Sequence, residues 1–327
     1  MTLLNRSHST LFSFIILIAV ISCEPKIPVE QPLVVKEDVS TVAQRAKEIR
    51  ENTAAQVADG LVLKLWATDS LAPDPIAMSI DDFGAIYHTQ TNRRKTSTID
   101  IRSHRDWMIS SITLQSMEDR RAFIKKNLAP EKSNENDWLT DRNKDGIRDW
   151  HDLTLQKEAI WKLEDKDQDG LADISTRVLH DFHEEVTDVA GALLVRENDV
   201  FMGVGPDMWR LKDENGDGVL ENKKSISHGY GVHIGFGGHN MSGATQGPDG
   251  KIYWGIGDIG ANITTSEGIA HKYPNQGIIV RSNPDGSNFE VFAAGLRNTH
   301  EFVFDDYGNI ITSDNDGDHA GEMERLV

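Results

Sequence analysis

Four short stretches of the chain are built to one plan, and their spacing constrains the fold more than any other feature. Residues 81–92 read DDFGAIYHTQTN, 196–207 RENDVFMGVGPD, 247–258 GPDGKIYWGIGD and 305–316 DDYGNIITSDND. Each opens on a polar turn rich in Asp, Asn and Gly, runs into a short apolar alternating strand and ends polar. Superposed on their turns, the last three lie 51 and 58 residues apart. A repeat of about fifty residues with several strands per unit is the signature of a β-propeller rather than of a sandwich.

The first interval is longer, at 115 residues. Its excess falls at 103–165, where LQSMEDRRAFIKKNL (114–128) and HDLTLQKEAIWKLE (151–164) read as helical. We therefore expect an all-β fold, a propeller at 61–327, with a helical and calcium-loop insertion between blades at about 103–175. Six blades need more chain than this, so about four of six are expected to be covered. EMERLV (322–327) reads as the start of a further strand, which makes the sequence a fragment or leaves closure to another source.

Ahead of the repeats, residues 1–22 hold one charged side chain, Arg6, and the apolar run LFSFIILIAVI (11–21). That is the pattern of a signal peptide, with a run too short for a stable bilayer span. VISC before Glu24 resembles a bacterial lipobox, which makes Cys23 the expected lipidation site and mature N-terminus. Cys23 is also the only cysteine, which excludes an internal disulfide, a thiolate metal site and a haem attachment motif. Residues 23–60 are expected to form a Pro-rich tether (24–38) and a short helix (40–54) capped by Ser40. The expected location is extracytoplasmic, lipid-anchored to a bacterial membrane.

With 38% hydrophobic and 26% charged residues, the 327-residue chain is globular in composition. Its net charge of -18 argues against nucleic acid as a partner, since phosphate binding needs concentrated Lys and Arg. It suits Ca²⁺, neutral substrates or basic partner proteins instead. Asp141, Asn143, Asp145, Gly146, Asp149 and Asp152 fall at positions 1, 3, 5, 6, 9 and 12 of a D-x-[DN]-x-[DN]-G loop. Asp165, Asp167, Asp169, Gly170 and Asp173 repeat the pattern, with Thr176 at position 12. A third loop offers Asp213, Asn215, Asp217 and Glu221. None has the bidentate Glu of a tight site, and the same residues also serve as plain hairpin-turn chemistry.

The stretch GGHNMSGATQGPDGKIYWGIGDIG (237–260) carries the strongest catalytic candidate. If its strands pair in register about the GPDG turn, residue 246 faces 251 and His239 faces Asp258. Opposed residues have Cβ atoms about 4.5–5.5 Å apart, within reach of a carboxylate–imidazole hydrogen bond. A carboxylate on one ring nitrogen fixes the tautomer and makes the other a competent general base. Placed over this hairpin by its turn, GLRNTHEFVFDDYGNIITSDND puts Arg297 at the position of His239, Asn298 at Asn240 and Asp316 at Asp258. A structural use of these polar residues at strand ends is the competing reading.

These two segments resemble the soluble quinoprotein glucose/sorbosone dehydrogenase family, six-bladed propellers that oxidise aldoses with pyrroloquinoline quinone (PQQ). The whole chain resembles the N-terminal part of large bacterial membrane-bound dehydrogenase-like proteins. The resemblance implies that His239 is the general base, that Asp258 orients it, and that Arg297 and Asn298 contact PQQ. It further implies a sugar or other alcohol as substrate and a cytochrome as electron acceptor. The family has a glycine three residues after the histidine, whereas here Ser242 holds that place and Gly243 follows. Aligning on the glycine moves the base position to Asn240, so the register decides between them. A propeller without redox activity, serving as a carbohydrate- or protein-binding scaffold, is the alternative function. No HExxH or comparable spacing supports a zinc site among the remaining histidines.

Overall fold

The structure, a computed structural model, describes residues 33–315, 321 and 323–327. The expected signal peptide, Cys23 and most of the tether lie outside the described residues. The last part of the expected tether is not a linker. Leu33–Lys36 (β1) forms the edge strand of a sheet, paired antiparallel with β5 (Ile174–Asp181). Helix α1 follows at Val39–Asn52, capped by Asp38 rather than by Ser40. The Asp38 carboxylate accepts the backbone N–H of Ser40 (3.1 Å) and Thr41 (3.3 Å), leaving Ser40 inside the first turn. Among the described residues no helix is long and apolar enough to cross a membrane.

The chain is mostly β, arranged as successive antiparallel sheets, none of which closes on itself. Pro75–Ile80 (β2), Ile86–Gln90 (β3), Glu158–Glu164 (β4) and β5 make the first sheet, in the order β1-β5-β4-β3-β2. The second is a meander of Ala190–Arg196 (β6), Asp199–Val204 (β7), Asp207–Lys212 (β8) and Asn222–His228 (β9). In the third, Met241–Gln246 (β10) and Ile252–Ile256 (β11) are followed by a separate ribbon of Ala261–Thr264 (β12) and Ala270–Tyr273 (β13). Gly277–Ser282 (β14) and Glu290–Leu296 (β15) complete that sheet. Thr299–Phe304 (β16), Ile310–Asp314 (β17) and Arg325–Leu326 (β18) form the fourth. The four repeated stretches each supply the turn and second strand of one sheet.

The helical insertion sits elsewhere than expected. It lies inside the first sheet, between β3 and β4, and contains short 3₁₀ turns with helices α2 (Met108–Ser111) and α3 (Met117–Asn127). Residues 151–164 are not one helix: they divide into a 3₁₀ turn at Trp150–Thr154 and strand β4. An apolar run such as EAIWKLE fits either period, and burial on both faces of a central strand decides it. The second calcium-like loop is therefore the β4–β5 turn, and the third is the equivalent β8–β9 turn.

Strand alternation builds the core in layers between neighbouring sheets. Leu193, Val195, Val200 and Met202 of the second sheet face Ile160, Val178 and Leu179 of the first. Leu194 and Phe201, one residue out of phase, face Trp254, Ile278 and Val280 of the third. Tyr253 and Ile279 then face Phe302 of the fourth. Each fully buried side chain of this kind contributes about 1.5–3 kcal/mol. Among the described residues no further sheet covers the outer faces of the first and fourth sheets: Ile76, Met78 and Ile80 of β2 and Val303 and Ile311 of β16 and β17 are exposed, although Ile86 and Leu163 of the first sheet pack under Trp66 and Leu71. The first strands stack in sequence, β2 on β6, β6 on β10 and β10 on β16.

Two buried arginines attach the insertion. The Arg120 guanidinium, from α3, forms a two-point ion pair with Asp188 (2.8 Å on each arm) just before β6. Arg93 is fully buried and donates to the carbonyls of Leu153, Gln156, Ser97, Glu184 and Thr187. Burial pulls its guanidinium down to about 10. Removing it would leave five desolvated acceptors without a donor.

Candidate functional site

Each hairpin formed by a repeated stretch has a one-residue irregularity in its first strand, at the end away from the turn. The shifts fall between Pro75 and Met78, Ala190 and Ala192, Ser242 and Ala244, and Thr299 and Phe302. Because the four first strands stack side by side, these bulges meet. Ile76, Gly191, Ser242, His300 and Glu301 line one cavity of about 250 Å³, together with Arg94 and Asn240. Bulges commonly re-aim side chains beside functional sites.

The third hairpin shows how the histidine is placed. The turn is one residue longer than the even pairing assumes, so Gln246 faces Ile252, not residue 251. The Gly247 N–H bonds the Lys251 carbonyl (2.9 Å) across a three-residue loop that ends on Gly250 in the left-handed region (φ 77°). The bulge at Gly243, also left-handed (φ 58°), absorbs the extra residue and puts Met241 opposite Ile256. Continued two residues, that register sets His239 against Asp258. The bulge thereby restores the pairing that the longer turn shifts.

His239 Nδ1 lies 2.7 Å from Asp258 Oδ1. The His239 side chain is 7% exposed and that of Asp258 34%, so the carboxylate stands toward solvent and the ring behind it. An ionised carboxylate only accepts, so Nδ1 carries the proton and Nε2 presents its lone pair. Nε2 has no protein partner among the described residues, yet it is not sealed from solvent. Asn240, the other register candidate, instead accepts the Gly238 N–H at 3.4 Å. His239, not Asn240, holds the acidic partner.

The neighbours of this pair come from the fourth sheet. The Asn298 amide donates to His300 Nε2 (3.0 Å), which leaves the proton of a neutral His300 on Nδ1. Burial, and then repulsion from His239 whenever that ring is protonated, hold the His300 ring below the ordinary histidine range. Glu301 exposes surface, but its concave setting desolvates it and pushes its carboxyl up to about 7. The Ser242 hydroxyl donates to the Thr299 carbonyl, tying the two bulges together.

Arg297 and Asn298 do approach the pair. The Arg297 carbonyl accepts the Asp258 N–H (2.7 Å), and a Cβ on Gly257 would come within 3.0 Å of both Asn298 Oδ1 and His239 Cβ. Their backbone N–H groups both bond the buried Asp314 carboxylate, at 2.9 and 2.8 Å. Through Nη1 the Arg297 guanidinium reaches Asn315, and its other nitrogens make no bond to the described residues. Asn298 Oδ1 is buried without a donor. Asp316, the expected counterpart of Asp258, lies outside the described residues.

Sequence reasoning missed Arg94, His300 and Glu301. The last two stand at the fourth bulge, where no glycine marks it. Arg94 follows the first repeated stretch by two residues, and only folding brings it against Gly237.

The three calcium-like loops share one backbone design. In each, the first Asp accepts the N–H of the Gly at position 6, as Asp141 does from Gly146, Asp165 from Gly170 and Asp213 from Gly218, all at 2.9 Å. The residue at position 3 accepts from position 5, and position 5 from position 7. Carboxylates gather in two of them, Asp165, Asp167 and Asp169 in one and Asp213, Asp217 and Glu221 in the other. Desolvation and the charges of Asp169, Asp173 and Asp165 raise the Asp167 carboxyl. In the first loop Asp149 and Asp152 are not directed to a common centre. They form a capping box on the 3₁₀ turn, with Asp149 accepting from His151 N–H (2.8 Å) and Asp152 from Asp149 N–H (3.1 Å). Asp152 also accepts from Arg142 N–H (2.7 Å) and Asn143 N–H (3.3 Å). Both carboxylates accept backbone N–H groups of the loop, as Asp141 and Asp145 also do.

No curated protein matches the chain. One similar solved structure is that of a protein of unknown function from Bacteroides caccae, with 13% identity over 53% of this chain and 68% of that one. Its TM-score of 0.25 is too low to bear on the fold. Residues 49–325 match the family described as a domain of unknown function, DUF7133. The chain described above therefore belongs to the DUF7133 family.

Proposed function

We propose that the four sheets are successive blades of a β-propeller and that their bulged ends carry an oxidoreductase site of the quinoprotein type. Its substrate is a sugar or other alcohol, and it works outside the cytoplasm, anchored through a lipid on Cys23. The stacked first strands and the exposed apolar residues on the outer faces of the end sheets support the propeller reading. The observation that carries the enzymatic reading is the 2.7 Å contact of His239 Nδ1 with Asp258, with Nε2 left unbonded.

The residues present fit PQQ at the level of donors and acceptors. An anionic oxygen would find the unused nitrogens of Arg297, and an N–H or O–H group would satisfy the orphaned Asn298 Oδ1. PQQ, when bound, supplies the two-electron acceptor for the hydrogen leaving the alcohol carbon. His239 takes the hydroxyl proton on Nε2, and Asp258 stabilises the imidazolium that results. A cytochrome is the proposed onward electron acceptor. Ca²⁺ is proposed for the β4–β5 loop, at Asp165, Asp167, Asp169 and Asp173, where weak extracellular-type binding stiffens a turn. For the first loop the proposal keeps Asp141, Asn143 and Asp145 only.

Loading the protein with PQQ and Ca²⁺ and following dye reduction across a panel of sugars and alcohols tests this reading. Reduction that is lost in His239→Ala is the expected outcome. A folded protein that takes up no PQQ would overturn it and leave the scaffold reading, which the exposed apolar row Ile76, Met78 and Ile80 favours.

A further inference from the structure

Arg94 is half-buried, and its guanidinium makes no hydrogen bond or ion pair among the described residues. Its position is nonetheless set. The backbone N–H donates to the Thr91 hydroxyl (3.2 Å), and the preceding residue is the clamped Arg93. Its Nη1 rests on Gly237, where a Cβ would lie 1.9 Å away, so a side chain at that position would displace the guanidinium. A half-buried guanidinium that no protein acceptor engages is well placed to take an anionic ligand.

The surroundings say which way it faces. Arg94 and Asn240 both line the cavity of about 250 Å³ at the bulges and also a larger one of about 360 Å³. The larger cavity contains two carboxylates, and each is already matched: Asp100 by Arg102 (2.6 Å) and Asp188 by Arg120 (2.8 Å). The exposed Lys95 adds a further cation to its lining. Asn240 uses Oδ1 on the Gly238 N–H, so its amide hydrogens remain available. In the smaller cavity Glu301 opposes an anion, so the larger one is the site. Its size suits a ligand of monosaccharide dimensions rather than a polymer.

We propose that Arg94 and Asn240 form a carboxylate-recognition subsite in the larger cavity, next to His239, for a hydroxy acid of sugar-acid size or a carboxylate-bearing quinone. The inference rests on the proposed function only for the idea that chemistry occurs at His239; binding does not require it. Phe236, which also lines the larger cavity, has its ring 5.3 Å from that of His239, which places the subsite near the candidate base.

Calorimetry on the full chain with glucuronate, gluconate, glucose and PQQ tests the subsite without turnover. The expected result is that at least one carboxylate ligand binds at least 10-fold more tightly than glucose. Arg94→Gln should remove that preference, and Asn240→Ala should weaken carboxylate binding several-fold. Sugar acids binding without competition from PQQ would identify the substrate as the source of the carboxylate. PQQ binding alone, lost in Arg94→Gln, would identify the cofactor. Arg94→Lys keeps the charge and serves where Gln disturbs folding, with a partial loss expected. Equal binding of acid and neutral sugar, no binding of any carboxylate, or unchanged affinity in both Arg94 variants would overturn the proposal. Carboxylate binding that persists with no dye reduction would instead count against the oxidoreductase reading alone.

Discussion

The hairpins β10–β11 and β16–β17 share a backbone frame and differ in what it carries. Met241 pairs with Ile256 and Thr299 with Asp314, each beyond a one-residue bulge, so the two frames coincide at an offset of 58 residues. The third sheet uses the frame to set an imidazole against a carboxylate, with both ends of the ring accounted for. In the fourth, Arg297 takes the histidine's place and the buried carboxylate, Asp314, serves the backbone instead. Even the bulges differ. Gly243 is left-handed and pressed against the fourth sheet, with room for a Cβ only 2.9 Å from Phe302, whereas His300 and Glu301 make the equivalent bulge without positive φ. A repeated frame fixes where a side chain stands, and the residue chosen decides whether the place is chemical or structural.

The largest expected effect breaks this contrast at its centre. His239→Gln should lower turnover by about 100-fold or more, while Arg297→Gln should act mainly through ligand affinity; steady-state kinetics separates kcat from KM. Asp258→Asn comes next, with a loss of roughly 10- to 100-fold, because the amide can donate to Nδ1 and so favour the tautomer that blocks Nε2. Smaller, and read by denaturant unfolding, is Gly243→Ala. The left-handed conformation costs about 1–2 kcal/mol in a residue with a Cβ, and the contact with Phe302 adds to it. The matching change Glu301→Ala at neutral pH should stay within about 0.5 kcal/mol.

Glu301 gives the smallest and most pH-dependent effect. Its folded carboxyl is raised to about 7 from the ordinary 4.5, so the folded state binds the proton more tightly than the unfolded chain. Keeping the ion in the cavity is then a destabilising contribution that is absent below 4.5, grows through the interval and is complete above about 7. Glu301→Gln should match the wild type in stability at acid pH and exceed it slightly above neutrality. Equal curves at both ends would mean that Glu301 is solvated as an ordinary surface carboxylate.

Much of the frame was legible because turns and alternation are local. The four stretches, their spacing and the helix near residue 40 follow from a few neighbouring residues, and they reappear as four hairpins and α1. The insertion was misplaced because residues 158–164 satisfy both helical and strand patterns, and only pairing with β3 resolves them. The His239–Asp258 pairing was foreseen through two errors that cancel, a turn one residue too short and a bulge not placed. Asp149 and Asp152 matched a cation loop by spacing alone, but the local backbone competes for the same carboxylates. Arg94 left no trace, since its meaning comes from Gly237, far away in sequence, and from the absence of an acceptor among the described residues.

The central claim is that Asp258 holds His239 with Nε2 free to accept a proton. Nitrogen-15 NMR of the histidine rings, in the wild type and in Asp258→Asn at pH 8, tests it without substrate or cofactor. The account predicts a His239 ring protonated on Nδ1 and bare on Nε2, with that preference lost in the variant. A ring protonated on Nε2, or a spectrum that Asp258→Asn leaves unchanged, would contradict it.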